Sequence, residues 1–318
     1  MRGRFIPATA RRSRPDRREF SAAIGLSLLA VAGLVAPSAV ITRAVAQTPD
    51  RIVAAGGVIT EVLYALGLQD RIVGVDTTSQ FPIDALRDKA SIGYVRALSA
   101  EGVISLKPSL VIAIQSAGPP DAISLLSEAG VKLARIPEDL TPEGIASKIE
   151  AIGTLAGAAE PARRLAAQTT ERFDELARLR DGLRTRRRVL FVLSLQNGRV
   201  MVGGRNSTAD AIIGLAGGIN VASAIEGYKP MTDEAIIEAA PDIVLMMRNS
   251  GSPNTTPDVM FAMPAFSSTP AASRKALVAM DGLYLLGFGP RAPLAARDLM
   301  AAIYPDAAIP PLKTAAIP

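Results

Sequence analysis

The 318-residue chain contains no Cys, His or Trp, which excludes disulfides, thiolate metal sites and cysteine nucleophiles and removes the commonest general base and metal ligand. Its formal charge of +5 (35 basic, 30 acidic side chains) is uneven. Arg2, Arg4, Arg11, Arg12, Arg14, Arg17, Arg18 and Arg43, against Asp16 and Glu19, all precede position 47, so the rest carries 27 basic and 28 acidic groups, a net charge near −1, and nucleic acid is not an expected partner.

Residues 1–46 read as an export signal. Arg17-Arg18-Glu19-Phe20 is a twin-arginine-like pair ahead of an uncharged apolar run at 22–36. That run falls short of the roughly 20 residues a membrane-spanning helix needs. Ala44-Val45-Ala46 supplies a small-x-small cleavage pattern, placing the mature start at Gln47. An ordinary Sec signal with a basic front end is the competing reading. No cysteine is available for a lipid thioether.

From Arg51 the text alternates short β-branched runs with helical stretches, the pattern of an α/β architecture with parallel strands. Strands are expected at 51–55, 71–75, 110–114 and 131–136, and helices at 60–66 and 121–129. The Gly56-Gly57 pair lacks the spacing of a phosphate loop and predicts a tight strand-to-helix turn. Residues 160–187 then carry one apolar stripe (Leu165, Phe173, Leu176, Leu179, Leu183) on a charged background, predicting a helix of roughly 40 Å. After it the pattern restarts, with strands at 188–193 and 243–247 and helices at 208–215 and 291–303. The Ala- and Pro-rich end is expected to be disordered.

Residues 100–112 (AEGVISLKPSLVI) repeat as 233–245 (DEAIIEAAPDIVL), each a short helix stopped by a proline that feeds a strand. The expectation is an α/β protein of two Rossmann-like lobes with parallel sheets joined by a single long connecting helix. The divisions are a signal at 1–46, a first lobe at 47–157, the helix at 158–187, a second lobe at 188–305 and a tail at 306–318.

Four further segments, residues 92–98 (IGYVRAL), 203–210 (GGRNSTAD), 227–231 (GYKPM) and 285–291 (LLGFGPR), stand in order around this repeat. With it they resemble the periplasmic binding proteins of haem, cobalamin and siderophore ABC importers, and specifically the haemin-binding branch. The resemblance covers nearly all of 51–304 and implies a ligand cleft between the lobes. It also implies a periplasmic monomer without catalysis of its own, which takes ferric haem b from an outer-membrane receptor system and hands it to an ABC permease and its ATPase.

Tyr94 is the expected axial ligand of haem iron, because a phenolate is a hard anion suited to Fe(III). A loop tyrosine packed on a neighbour is the plain alternative. Arg96, two residues on in an extended segment, would share its side and favour the phenolate, or be a solvated loop arginine. Tyr228 and Lys229 hold the corresponding place before the second repeat and are expected on the opposite wall, with Arg205, Arg248 and Asn197 as weaker candidates. Some haemin-binding relatives add a histidine, which this chain cannot. Glu101 and Glu234 match the acids that dock the permease, although an acid in a first helical turn also complements the helix dipole. Cobalamin or an iron siderophore on the same fold, and an exported enzyme with a Ser-Lys or carboxylate mechanism, are the competing functions.

Overall fold

The computed structural model describes residues 49–196, 199–248 and 255–313. The expected export signal and candidate Asn197 lie outside the described residues.

The first lobe runs β1 (Ile52–Ala55), α1 (Gly57–Ala65), β2 (Ile72–Val75), α2 (Asp84–Asp88), β3 (Ala90–Ser91), β4 (Gly93–Tyr94), β5 (Ala97–Leu98), α3 (Ala100–Ser105), β6 (Leu110–Ile114), α4 (Pro120–Glu128), β7 (Leu133–Ile136) and α5 (Pro142–Leu155). Its main sheet has the order β3-β2-β1-β6-β7 with every pair parallel. Strands covered on both faces read as continuous apolar runs, and the two inner strands show it. Ile52, Ala54, Leu110 and Ile112 face the core shared with α1 and α5, while Val53, Ala55, Val111 and Ala113 face the core under α3 and α4.

α6 (Ala159–Asp181) connects the lobes, and at 23 residues it is about 35 Å long. It stops short of the expected 187 because Gly182 closes it and residues 182–187 turn into the next strand. Its stripe of Ala162, Leu165, Ala166, Phe173 and Leu176 is buried against α5 and the C-terminal helix. One apolar cluster consequently runs unbroken from Ile52 in the first lobe, through Leu165 and Phe173, to Phe191 and Leu299 in the second. The two helices approach tightly at Gly153, where a Cβ would stand 2.1 Å from that of Ala162.

The second lobe runs β8 (Arg188–Gln196), β9 (Arg199–Gly203), α7 (Thr208–Leu215), β10 (Ile219–Asn220), β11 (Tyr228–Met231), α8 (Asp233–Ala239), β12 (Ile243–Arg248), α9 (Pro257–Phe261), α10 (Pro264–Ser267), α11 (Pro270–Ser273), β13 (Leu277–Asp281), α12 (Gly282–Leu286) and α13 (Ala292–Ile303). Its sheet, β11-β9-β8-β12-β13 with β10 beside β8, is mixed and not wholly parallel. β9 follows β8 after two residues, a connection that allows only an antiparallel pair. β11 adds antiparallel to β9 at the edge, where Pro230 removes no ladder bond from a further strand.

The two halves of the sequence repeat are built alike. Ser99 caps α3 by accepting from Gly102 N, and Thr232 caps α8 by accepting from Ala235 N. Residues 306–313 depart from the expected disordered tail: Arg297 donates to the carbonyls of Ile309 and Pro310, both at 2.9 Å, and Lys313 N donates to the Glu175 carboxylate on α6. Ala307 and Ile309 pack on the core. Among the described residues no helix is long and apolar enough to cross a membrane.

Candidate ligand-binding cleft

A cavity of about 530 Å³ opens between the lobes, lined by Gly57, Thr78, Gln80, Tyr94, Arg96, Glu138 and Lys148 on one side and by Leu193, Thr208, Tyr228, Met247, Leu283 and Phe288 on the other. The volume lies within the roughly 300–1,000 Å³ of small-molecule sites.

One corner of the first wall is organised by Asp76, which is buried at the end of β2. Its carboxylate accepts from Gly56 N, Thr78 N and Oγ1, and Ser79 Oγ. Gly57 N in turn donates to Thr78 Oγ1. A Cβ on Gly57 would meet the Thr78 carbonyl at 2.3 Å, so this glycine allows the strand-to-helix turn to pass beside the cleft. The spacing of Gly56-Gly57 predicts the turn; nothing local pointed to Asp76.

Tyr94 stands on a separate two-stranded hairpin of β4 and β5, with Val95 and Arg96 as its turn. Val95 is buried and ties the turn down, its carbonyl accepting from Gly118 N while Leu98 N donates to Gly118 O. Tyr94 is left 44% exposed to the cleft. Arg96 reaches it across the turn and not along an extended strand, as alternation had implied, and its Nη1 donates to Tyr94 Oη at 2.8 Å. A guanidinium there is a charge-assisted partner for the phenolic oxygen.

Tyr228 faces the same cavity from the edge strand β11. Its hydroxyl shares a 2.6 Å hydrogen bond with Thr208 Oγ1 and accepts from Ala209 N at the start of α7. Its ring meets Phe191 edge-on, with centroids 6.3 Å apart. This oxygen is therefore engaged by its own lobe, whereas that of Tyr94 is presented by a charged donor.

Of the remaining expected wall residues, Arg205, Lys229 and Arg248 do not line the cavity. Arg205 pairs with Glu226, whose carboxyl is held below the usual carboxylate range by Asn206 and Arg205. Lys229 and Arg248 are exposed at the surface. Glu101 and Glu234 are exposed in the first turns of α3 and α8, each followed three residues later by an exposed isoleucine, Ile104 and Ile237.

Two inter-lobe contacts were not foreseen from the sequence, although Phe288 and Arg291 fall within the 285–291 segment singled out above. Lys148 on α5 is 5% exposed and donates from Nζ to the Phe288 carbonyl at 3.1 Å. Burial pushes its ammonium below the ordinary lysine value, against the pull of Glu138 and Asp139. Phe288 is itself buried in a left-handed conformation, φ 49°. Glu61 on α1 accepts from Arg291 Nη2 at 2.8 Å and from Arg291 N at 3.3 Å, and the guanidinium lies 3.5 Å over the ring of Phe81.

The model of the family described as "Periplasmic binding protein" matches residues 52–283. The chain belongs to this family. Among solved structures, this binding protein is similar to the periplasmic heme-binding protein RhuT from Roseiflexus sp. RS-1 (35% identity, 80% of this chain and 98% of that one, TM-score 0.76). It is also similar to a periplasmic heme-binding protein from Pseudomonas aeruginosa (33% identity, 84% and 96%, TM-score 0.75). The vitamin B12-binding protein BtuF of Vibrio cholerae, at 21% identity and TM-score 0.69, shares the fold. Among curated proteins it is similar to the uncharacterised ABC transporter substrate-binding lipoprotein YvrC of Bacillus subtilis (26% identity, 82% of each chain) and to a vitamin B12-binding protein of Vibrio campbellii (26% identity, 64% and 72%). Its family is thus that of extracytoplasmic substrate-binding proteins serving ABC transporters.

Proposed function

We propose that this protein binds ferric haem in the periplasm and delivers it to an inner-membrane ABC permease, with no catalysis of its own. The observation that carries the reading is the half-exposed Tyr94 in the inter-lobe cleft, with Arg96 Nη1 2.8 Å from its hydroxyl oxygen. The iron takes the Tyr94 phenolate as its axial ligand, the Arg96 guanidinium favours that anion, and Tyr228 with Leu193, Met247 and Leu283 forms an aromatic and apolar wall for the porphyrin face. The heme-binding neighbours at 33–35% identity support this cargo. Delivery uses Glu101 and Glu234, one exposed on each lobe beside Ile104 and Ile237, as docking acids for basic residues of the permease.

Haemin titration of the chain from Gln47, read by absorbance, tests the cargo. A saturable high-spin ferric spectrum with a tyrosinate charge-transfer band, lost in Tyr94→Phe, is expected; no saturable binding by the wild type rejects haem. The resemblance to vitamin B12-binding proteins keeps cobalamin as the second reading, and a parallel cyanocobalamin titration separates the two.

A further inference from the structure

Among the described residues, the charged side chains lining the cleft are Arg96, Glu138 and Lys148. Arg96 is committed to Tyr94 Oη, and Glu138 accepts from Ser116 N. Lys148 is different. Its ammonium is enclosed by protein, uses one of three N–H donors on the Phe288 carbonyl, and forms no ion pair with Glu138 or Asp139 among the described residues. Asp139 instead accepts from Thr141 N and Oγ1. A buried cation partnered by a neutral carbonyl bears a desolvation cost that an arriving anion offsets.

We propose that Lys148 is the anion-recognition residue of the cleft, pairing with a carboxylate of the cargo. This rests on the haem reading, in which the carboxylate is a porphyrin propionate. The geometry favours Lys148 over Arg205, Lys229 and Arg248, which stand outside the cavity wall. It also gives the cleft a direction, because a ligand held at its metal by Tyr94 and at its acidic edge by Lys148 cannot turn in the plane of its ring. Apolar walls alone would leave the porphyrin free to rotate in its plane.

The test compares haemin with haemin dimethyl ester, which lacks the anionic edge and keeps the iron and ring. Wild-type protein is expected to bind haemin about tenfold to a hundredfold more tightly than the diester, the worth of a charged hydrogen bond. Lys148→Met and Lys148→Gln, the latter retaining a donor for the Phe288 carbonyl, should bind the two forms about equally. A wild type that does not discriminate overturns the proposal, as does discrimination that survives both substitutions. Equal weakening toward both ligands assigns Lys148 to holding the lobes together and also overturns it. Failure of the wild type to bind haemin at all rejects the cargo, and the inference with it.

Discussion

Tyr94 and Tyr228 face one cavity with different freedom, and the difference decides what each can do. Tyr228 Oη is anchored by Thr208 and the start of α7, so Tyr228→Phe should cost about 1 kcal/mol of stability in urea unfolding and change haemin affinity less than about threefold. Tyr94→Phe, by contrast, should abolish the tyrosinate spectrum while leaving the unfolding midpoint in place. Arg96→Met removes the donor held 2.8 Å from Tyr94 Oη and should weaken haemin binding roughly tenfold to a hundredfold. Arg96→Lys should restore little of it, since an ammonium on a flexible stem lacks the planar fork of a guanidinium. Tyr94 was singled out by the resemblance that residues 92–98 carry, and Arg96 by its spacing from it, although the pair closes across a turn and not along a strand. Lys148 was not legible in the sequence, since its place in the cleft depends on how α5 packs and on a carbonyl 140 positions away.

At the level of elements, the sequence announced helices and buried strands where a single local pattern dominates. The helix at 208–215 and the strand beginning at Ile243 fall where the residues predict them. The connecting helix was overextended because Leu183 continues its apolar stripe past Gly182, and only tertiary packing shows that Leu183 belongs to the turn beyond. β9 and β11 went unread: each is short, and β11 contains a proline that demotes a strand unless it lies at an edge. The α5–α6 contact makes a sharper test than helix length. Gly153→Ala sets a methyl 2.1 Å from Ala162 Cβ, so it should destabilise by about 1–3 kcal/mol through overpacking. The urea midpoint should fall while haemin affinity is retained.

Across the whole molecule, the lobes share one apolar cluster and are pinned by the Glu61–Arg291 pair, whose carboxylate side chain is 4% exposed. Arg291→Met leaves Glu61 buried without its cation and should cost about 3–5 kcal/mol. Adding Glu61→Leu should recover part of that loss, because the two residues couple directly. Unfolding by fluorescence and by circular dichroism should remain coincident in the wild type, as a shared core requires. Small-angle scattering with and without haemin should give superimposable curves; a large change in radius would contradict a cleft formed in advance of its cargo.

The buried ion pair between the lobes also bears on how cargo leaves. A binding protein that opens and closes freely spends part of its intrinsic affinity on populating the competent state, and one clamped by Glu61 and Arg291 keeps nearly all of it. The same clamp turns unloading into a matter of leverage. A permease that prises the lobes apart breaks this pair and uncovers part of the apolar cluster the lobes share, although both charges regain water as they separate. Grip on both lobes at once supplies that mechanical advantage, whereas a hold on one lobe would carry the protein along with its load intact.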